Sequence, residues 1–277
     1  MQLADLLTDA QGTRHARAGP DARIACLVPS ITELICALDL APQLVARTGF
    51  CIHPKVVVEG IPKVGGTKEV DMARLRALAP THVVLNMDEN TREIAQEVAR
   101  FVPHVIVTHP NAPEDNPALY RLIGGIFGQE QRAAVLCGEL EAALHAARVA
   151  AGQWAEERVL YLIWKDPWMG VAQNTYIAHT LAAVGWRTVP EGGELAAVGA
   201  ARYPQVDLVD CARQADLVLL STEPYMFRDK HVAQLREQLP GKRVELIDGE
   251  MTSWYGPRAI EGLKYLPALR ARLNASR

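Results

Sequence analysis

Apolar residues in this chain gather into short uniform runs, and between the runs they recur every three or four positions. The first run, 24–28, reads as a strand closed by Pro29 and Ser30. Thr32, Glu33, Leu34, Ile35, Ala37 and Leu38 then follow the spacing of an amphipathic helix. Residues 44–47 predict a second strand and 49–54 a turn, and the paired glycines of IPKVGGTKEVD predict a loop, because they stop regular structure. Asp71 opens a helix to 78. A third strand at 81–85 leads through the polar turn 86–90 into a helix at 91–101, with Ile94, Val98 and Phe101 on one face, and 105–107 predicts a fourth strand. Short, uniformly apolar strands that alternate with helices predict a parallel sheet covered on both faces.

Residues 111–117 (NAPEDNP) are turn-rich. The stretch that follows, especially 129–153, is rich in alanine, free of proline and spaced as a helix. A helix of about 20 residues spans ~30 Å, the width of a small domain. The alternation then restarts: strand 159–163, turn 164–170, helix 176–184, strand 217–220, helix 231–238, strand 244–247 and a final helix from 258 toward 273. The expected fold is therefore α/β, with an N-terminal lobe over 23–112, a connecting backbone helix within 113–153 and a C-terminal lobe over 154–277. ALAPTHVVLNMDEN and CARQADLVLLSTEP echo one another as helix end, apolar strand and acid-bearing turn. Residues 1–22 carry no predicted element.

A length of 277 residues allows two cores of ordinary domain size, and 49% hydrophobic with 22% charged residues sets aside disorder and fibres. A net charge of −3 supplies no basic field for nucleic acid, and no apolar run approaches the ~20 residues of a membrane span. The opening segment has Asp5 and Asp9 where a signal peptide would carry a basic head and an apolar stretch. Five cysteines match no zinc or redox spacing and read as buried thiols of a reducing compartment. A cytoplasmic monomer is the expectation, with a periplasmic location as the alternative if a signal peptide has been removed.

Ligands of open parallel sheets bind beyond the carboxyl ends of the strands. In the first lobe those positions offer Pro29, Ser30, Phe50, His53, Thr67, Lys68 and Asn86. In the second they offer Trp164, Trp168, Tyr225, Glu250, Trp254, Tyr255 and Arg258. Four of the five tryptophans lie beyond residue 159, and three of them fall in strand-end loops with Tyr225, Phe227 and Tyr255. An aromatic-lined cleft with few charges suits a large, flat, partly polar ligand. The alternative is that these rings pack their loops onto the lobe. Lys68 and Arg258 could meet carboxylates or phosphates of a ligand, or be solvated and salt-bridged. Glu89 and Glu223 read as helix caps or docking acids, and His53 and His109 as surface or capping residues. Ser30 lacks the glycines of a GxSxG elbow, GGTKE is not a phosphate loop, and no HxxH or CxxC spacing is present, so neither a catalytic residue nor a metal site is assigned.

LVPSITELICALDL, GFCIHP, KVGGTKEVDMARLRALAPTHVVLN, ADLVLLSTEPYMF and IDGEMTSWYGPR, in this order across residues 23–270, resemble the cobalamin and iron-siderophore binding proteins of ABC importers, the helical-backbone metal receptors. The resemblance implies two Rossmann-like lobes joined by one long backbone helix, as in class III periplasmic binding proteins. It further implies a small-molecule metal chelate in the inter-lobe cleft: a cobalamin or other corrinoid, a haem, or a ferric siderophore, with no cofactor of the protein's own. Phe50 matches the family's aromatic after the second strand, and Trp254 its tryptophan in the last strand-end loop. Where the cobalamin binders carry a further tryptophan this chain has Thr67, followed by Lys68. The family's two permease-docking glutamates fall at Ala73 and Gly256, leaving Glu69 and Glu261 as substitutes. These departures suggest a cytoplasmic relative that works away from any transporter, with service to an ABC permease as the other reading. The competing function is a chelatase-like enzyme acting on a tetrapyrrole or metal chelate on the same scaffold.

Overall fold

A computed structural model describes residues 7–190 and 202–275; Asp5 and the last two residues of the expected C-terminal lobe lie outside the described residues, as does 191–201 within that lobe. Contacts divide the chain into two units. The first runs to Pro110 and adds Glu114–Leu140 and Tyr255–Arg258; the second holds Asn111–Pro113, Glu141–Trp254 and the residues from Ala259 on.

In the first unit β1 (Ile24–Cys26) leads into α1 (Pro29–Ala37), then β2 (Leu44–Arg47), α2 (Lys55–Val58), α3 (Met72–Ala77), β3 (His82–Asn86), α4 (Arg92–Val98) and β4 (His104–Thr108). Pro29 starts α1 where a missing backbone N–H costs nothing. Asp71 and Thr91 cap α3 and α4 by accepting from the backbone N–H of Arg74 (2.9 Å) and Ile94 (3.3 Å). The sheet is parallel throughout, in the order β2-β1-β3-β4, with Ile24 paired to Leu44 and His82. Ala25, Leu27, Val83 and Leu85 of its centre pack with Ile94 and Val98 of α4 and Leu75 of α3 in one core. Each such aliphatic side chain contributes roughly 1.5–3 kcal/mol by leaving water.

The backbone helix expected within 113–153, and especially over 129–153, is α6 (Glu130–Ala151), and a shorter helix, α5 (Asn116–Ile126), precedes it. Gly128 makes the break at φ +72, a left-handed conformation that favours glycine. Gly124 lets the two helices close up, since a Cβ there would stand 2.7 Å from that of Ala133.

The second unit comprises β5 (Glu157–Trp164), β6 (Met169–Gly170), α7 (Tyr176–Ala182), β7 (Trp186–Thr188), α8 (Leu208–Gln214), β8 (Leu217–Ser221), α9 (Asp229–Gln238), β9 (Arg243–Ile247), α10 (Glu250–Ser253) and α11 (Arg258–Ala275). β7, β8 and β9 join β5 in parallel, giving β7-β5-β8-β9, while β6 turns back antiparallel along the end of β5. Counted over their parallel strands alone, both sheets run second, first, third, fourth strand, and the two segments that echo in sequence are β3 and β8 with the helices before them. Asp207 repeats the role of Asp71, capping α8 through the N–H of Asp210 at 2.8 Å.

Residues 7–22, for which the sequence predicted no element, form an arm on the edge strand β4. The Asp9 carboxylate accepts from the backbone N–H of Gln11 and Thr13 (2.9 Å each) and Val107 (3.0 Å), and lies 3.0 Å from His15 Nε2. Ala10 donates to the Val107 carbonyl at 2.9 Å, so the arm covers backbone that an open edge would leave unpaired. Nearby, the buried His82 ring stacks on His104 (4.6 Å between centroids) and meets Phe127 edge-on. Burial, then His104, then His15 push its pKa down to about 4. All five cysteines are free, and four are buried.

Two consequences can be measured. Asp9→Ala leaves three backbone donors without their acceptor and should lower stability by on the order of 3 kcal/mol. Denaturant unfolding reads the loss, and amide exchange should quicken first at Ala10 and Val107. For His82, the unfolded chain takes up a proton near the ordinary value of 6.5 and the folded chain only near 4. Stability is therefore full above 6.5 and falls on acidification toward 4, by on the order of 3 kcal/mol. His82→Phe should flatten that limb of the stability–pH curve; an unchanged slope would assign it to other groups.

Candidate ligand-binding site

In the first unit the loop after β2 is fixed from beneath. The buried Arg47 guanidinium donates to the carbonyls of Val58 (2.7 Å), Cys51 (3.0 Å) and Thr48 (3.2 Å), and the Cys51 thiol lies inward, 3.1 Å from both Thr32 Oγ1 and Thr48 Oγ1. Burial is the main reason that this thiol is pushed up and stays neutral. With Cys51 anchored inward, its neighbour Phe50 is turned out and is 63% exposed. Ile52, Val56 and Val57 continue the exposed apolar surface, and His53 beside them is half-buried.

Phe50 lies over the glycine pair. A Cβ on Gly66 would come within 3.3 Å of the Phe50 ring, and one on Gly65, at φ +100, would strike the Glu69 carbonyl. Gly65 bridges Val70 and Gly66 donates to the Glu69 carbonyl at 2.8 Å, so the segment expected to be irregular is a tight hairpin with Thr67 and Lys68 at its tip. Asn90, buried, holds the tip: its Nδ2 donates to the carbonyls of Thr67 (2.8 Å) and Leu27 (3.2 Å), and its Oδ1 accepts from the Asn86 N–H (2.9 Å). Nothing in the hydrophobic pattern marked Asn90, because a single asparagine in a polar turn carries no distinguishing signal.

The other first-unit candidates are spent inside the fold. Pro29 and Ser30 are buried, and the Asn86 side chain accepts from the N–H of Asp88 (2.8 Å) and Glu89 (3.3 Å) to shape its turn. Tyr255 and Arg258, expected in the C-terminal lobe, pack with this unit. Tyr255 is buried, and Arg258 grips Glu33 through two bonds of 2.7 and 2.9 Å.

In the second unit β5 ends on Trp164, 40% exposed, whose ring meets Tyr225 edge-on at 5.6 Å. Tyr225 contacts Phe227, and Trp168 lies parallel to Phe227 at 6.1 Å, so this cluster is packed mainly on itself and on the core beneath. Trp254 is only 8% exposed. Its indole N–H donates to Glu223 Oε1 at 2.8 Å, the oxygen that also accepts from Ser253 Oγ at 2.7 Å. Burial pushes the Glu223 pKa up, with Glu250 and Asp248 adding to it against those two hydrogen bonds. Glu250 is half-buried and donates its backbone N–H to Asp248 at 3.0 Å. Among the described residues no cluster of His, Cys, Asp and Glu is placed to hold a metal ion, and no helix is long and apolar enough to cross a membrane. What the strand ends present is exposed ring and aliphatic surface on rigid loops, which suits binding.

The family model described as periplasmic binding protein matches residues 24–223. The chain belongs to that family. As a periplasmic binding protein it is a binding protein and not an enzyme, which removes the chelatase reading. A curated relative, the vitamin B12-binding protein of Vibrio parahaemolyticus, is 21% identical over 247 residues, covering 88% of this chain and 87% of its own. The crystal structure of the periplasmic vitamin B12 binding protein BtuF of Vibrio cholerae superposes with a TM-score of 0.72 at 15% identity, over 90% of this chain and 96% of that one. The periplasmic heme-binding protein RhuT from Roseiflexus sp. RS-1, in apo form, gives 0.72 at 23% identity, over 90% and 97%. The expected class III fold, α/β with parallel sheets, is that of these proteins.

The two positions matched to docking glutamates differ in kind. Ala73 is exposed on α3 and could carry an acid. Gly256 could not: it sits at φ +77, a Cβ would lie 2.9 Å from the Ser30 carbonyl, and its own N–H and carbonyl are bonded to Asn116 and Tyr120 at 2.7 Å each. Gly256→Glu should therefore cost on the order of 3 kcal/mol or prevent folding, while Ala73→Glu leaves the melting temperature within a degree or two. Thermal melts of the two variants side by side check this.

Proposed function

We propose that this protein binds a tetrapyrrole-type metal chelate, a corrinoid or a haem, through its strand-end loops and delivers it to an ABC permease. The carrying observation is the pair of exposed rings, Phe50 and Trp164, each closing a strand end in its own unit on a loop fixed by buried contacts. A flat conjugated ligand gains most from such surfaces, because stacking adds to the area removed from water. Relatives named for vitamin B12 and for heme support the ligand class. Family membership favours the periplasmic alternative over the cytoplasmic location expected from the opening segment. Glu69 and Glu261 are exposed and serve in this reading as the acids offered to the permease.

Titration with ferric protoporphyrin IX and with cyanocobalamin, followed by the ligand's visible spectrum and the protein's melting temperature, tests the proposal. At least one should perturb both, since a ligand at 100 times its Kd adds about 2.7 kcal/mol. Phe50→Ala and Trp164→Ala should each weaken binding by roughly tenfold or more without altering the unliganded melt. No response to either chelate at ~100 µM, or full affinity in both variants, overturns it.

A further inference from the structure

Among the described residues β7 pairs with β5 alone, so it is an edge strand of the second sheet. Glu157 N–H donates to the Gly185 carbonyl at 3.1 Å and Val189 N–H to the Val159 carbonyl at 2.9 Å. Residues 185, 187 and 189 therefore turn their backbone groups to β5, and in a parallel ladder the alternate residues, Trp186 and Thr188, turn theirs outward. A cavity of about 330 Å³ opens there between α7 and β7, within the second unit, with Gln173, Ala178, His179, Ala182, Trp186 and Thr188 in its wall. That volume lies at the small end of the range for ligand pockets.

Three side chains in this wall keep hydrogen-bonding capacity that the fold does not use. His179 Nδ1 lies 2.6 Å from the Asn111 carbonyl, so Nδ1 carries the proton and donates, and in the neutral ring Nε2 is left as a bare acceptor. Gln173 donates its Nε2 to the outward Thr188 carbonyl at 3.3 Å, which leaves the amide oxygen as a second acceptor. Thr188 is only 1% exposed, and its hydroxyl has no hydrogen-bond partner among the described residues. A buried hydroxyl without a partner lowers stability, and valine would fill the same space without that cost. At the rim Arg187 and Glu156 stand 3.8 Å apart, both largely exposed, so their charges offset one another. The lining residues thus offer donors and acceptors side by side, small apolar contacts at Ala178 and Ala182, and no net charge.

We propose that this cavity is a second binding site, for a small neutral molecule with adjacent hydroxyl groups, a polyol or a sugar. Each hydroxyl of such a molecule both donates and accepts, which matches the outward Trp186 backbone and the Thr188 hydroxyl as well as the acceptors on His179 and Gln173. A carboxylate would face those two acceptors without a proton to give them. An ammonium would be desolvated beside a Glu156 whose charge Arg187 already offsets. The site shares no residue with the Phe50 and Trp164 loops, so it stands or falls independently of chelate binding.

The experiment follows the backbone amide and imidazole NMR signals of the whole chain during titration with glycerol, D-ribose and D-glucose, with acetate, methylammonium and acetamide as controls. At least one of the three polyhydroxyl probes should shift the Trp186 and Thr188 amides and the His179 ring saturably, with a Kd of about 1–30 mM. Thr188→Val should weaken that binding by roughly tenfold or more and raise the unliganded melting temperature by about 2–4 °C, because it removes the unpartnered hydroxyl. Thr188→Ser, which keeps the hydroxyl, should retain the binding. Four results each overturn the site: no saturable shift with any polyhydroxyl probe, saturation by a control alone, binding that survives intact in Thr188→Val, or a lower melting temperature in that variant, which would show the hydroxyl at work inside the fold.

Discussion

A parallel strand cannot be joined to its neighbour by a tight turn, so the chain must cross back over the sheet before the next strand begins. The parallel strands therefore all end on the same side of the sheet, and the loops that follow them gather there. That constraint is met twice in this protein, with the same strand order in both units. It explains why Phe50 and Trp164, more than a hundred residues apart, both stand at strand ends: Phe50 follows the second strand of its sheet and Trp164 ends the first strand of the other. The helices and the arm at residues 7–22 serve this arrangement by burying the sheet faces and covering the edge at β4.

What a strand-end side chain can offer a ligand is decided by what its own fold has already taken. Burial makes an unsatisfied polar group costly, so polar side chains near the core are recruited into internal hydrogen bonds first. Trp254, Arg258 and Asn86 are examples. The indole of Trp254 holds Glu223, the guanidinium of Arg258 holds Glu33, and the amide of Asn86 shapes the turn after β3. Their types suit recognition, but their positions commit them to structure. The side chains left over are those that buried neighbours push outward, and Phe50 is one because Cys51 beside it faces in.

The sequence read well where one physical rule dominates. Uniform apolar runs gave the strands because a doubly covered parallel sheet requires them, and Asp71 and Thr91 marked helix starts because a cap must be a short acceptor. It read less well where two weak signals compete. The helix at 116–126 does not stand apart within 113–153, because the alanine-rich, proline-free spacing from 129 on is the stronger signal. The two-residue β6 and three-residue β7 are too short for any period to show. The arm escaped because its hold on the fold is Asp9, a single carboxylate bonded to backbone far away in sequence. Within the candidate site, residue types located the loops, but exposure separates Phe50, Trp164 and Lys68 from Trp254 and Arg258, and exposure depends on partners that the sequence places up to 225 residues apart.

The repeated strand order also bears on how one scaffold comes to hold different ligands. Strand order and caps repeat between the units, because they are set by packing and tolerate little change. The loops do not repeat: the first unit presents an exposed ring beside a tight hairpin with a lysine at its tip, the second an aromatic cluster packed on itself with Lys165 and His231 against it. Hairpin tips such as Thr67 and Lys68 bear no load in the core, so their side chains can change without penalty to folding. Gly256 is the opposite case, a loop position fixed by backbone conformation and contact, where no side chain can be added for any partner. Ligand choice in such a protein is therefore concentrated at the few strand-end positions that the fold leaves free, and family membership alone does not determine it.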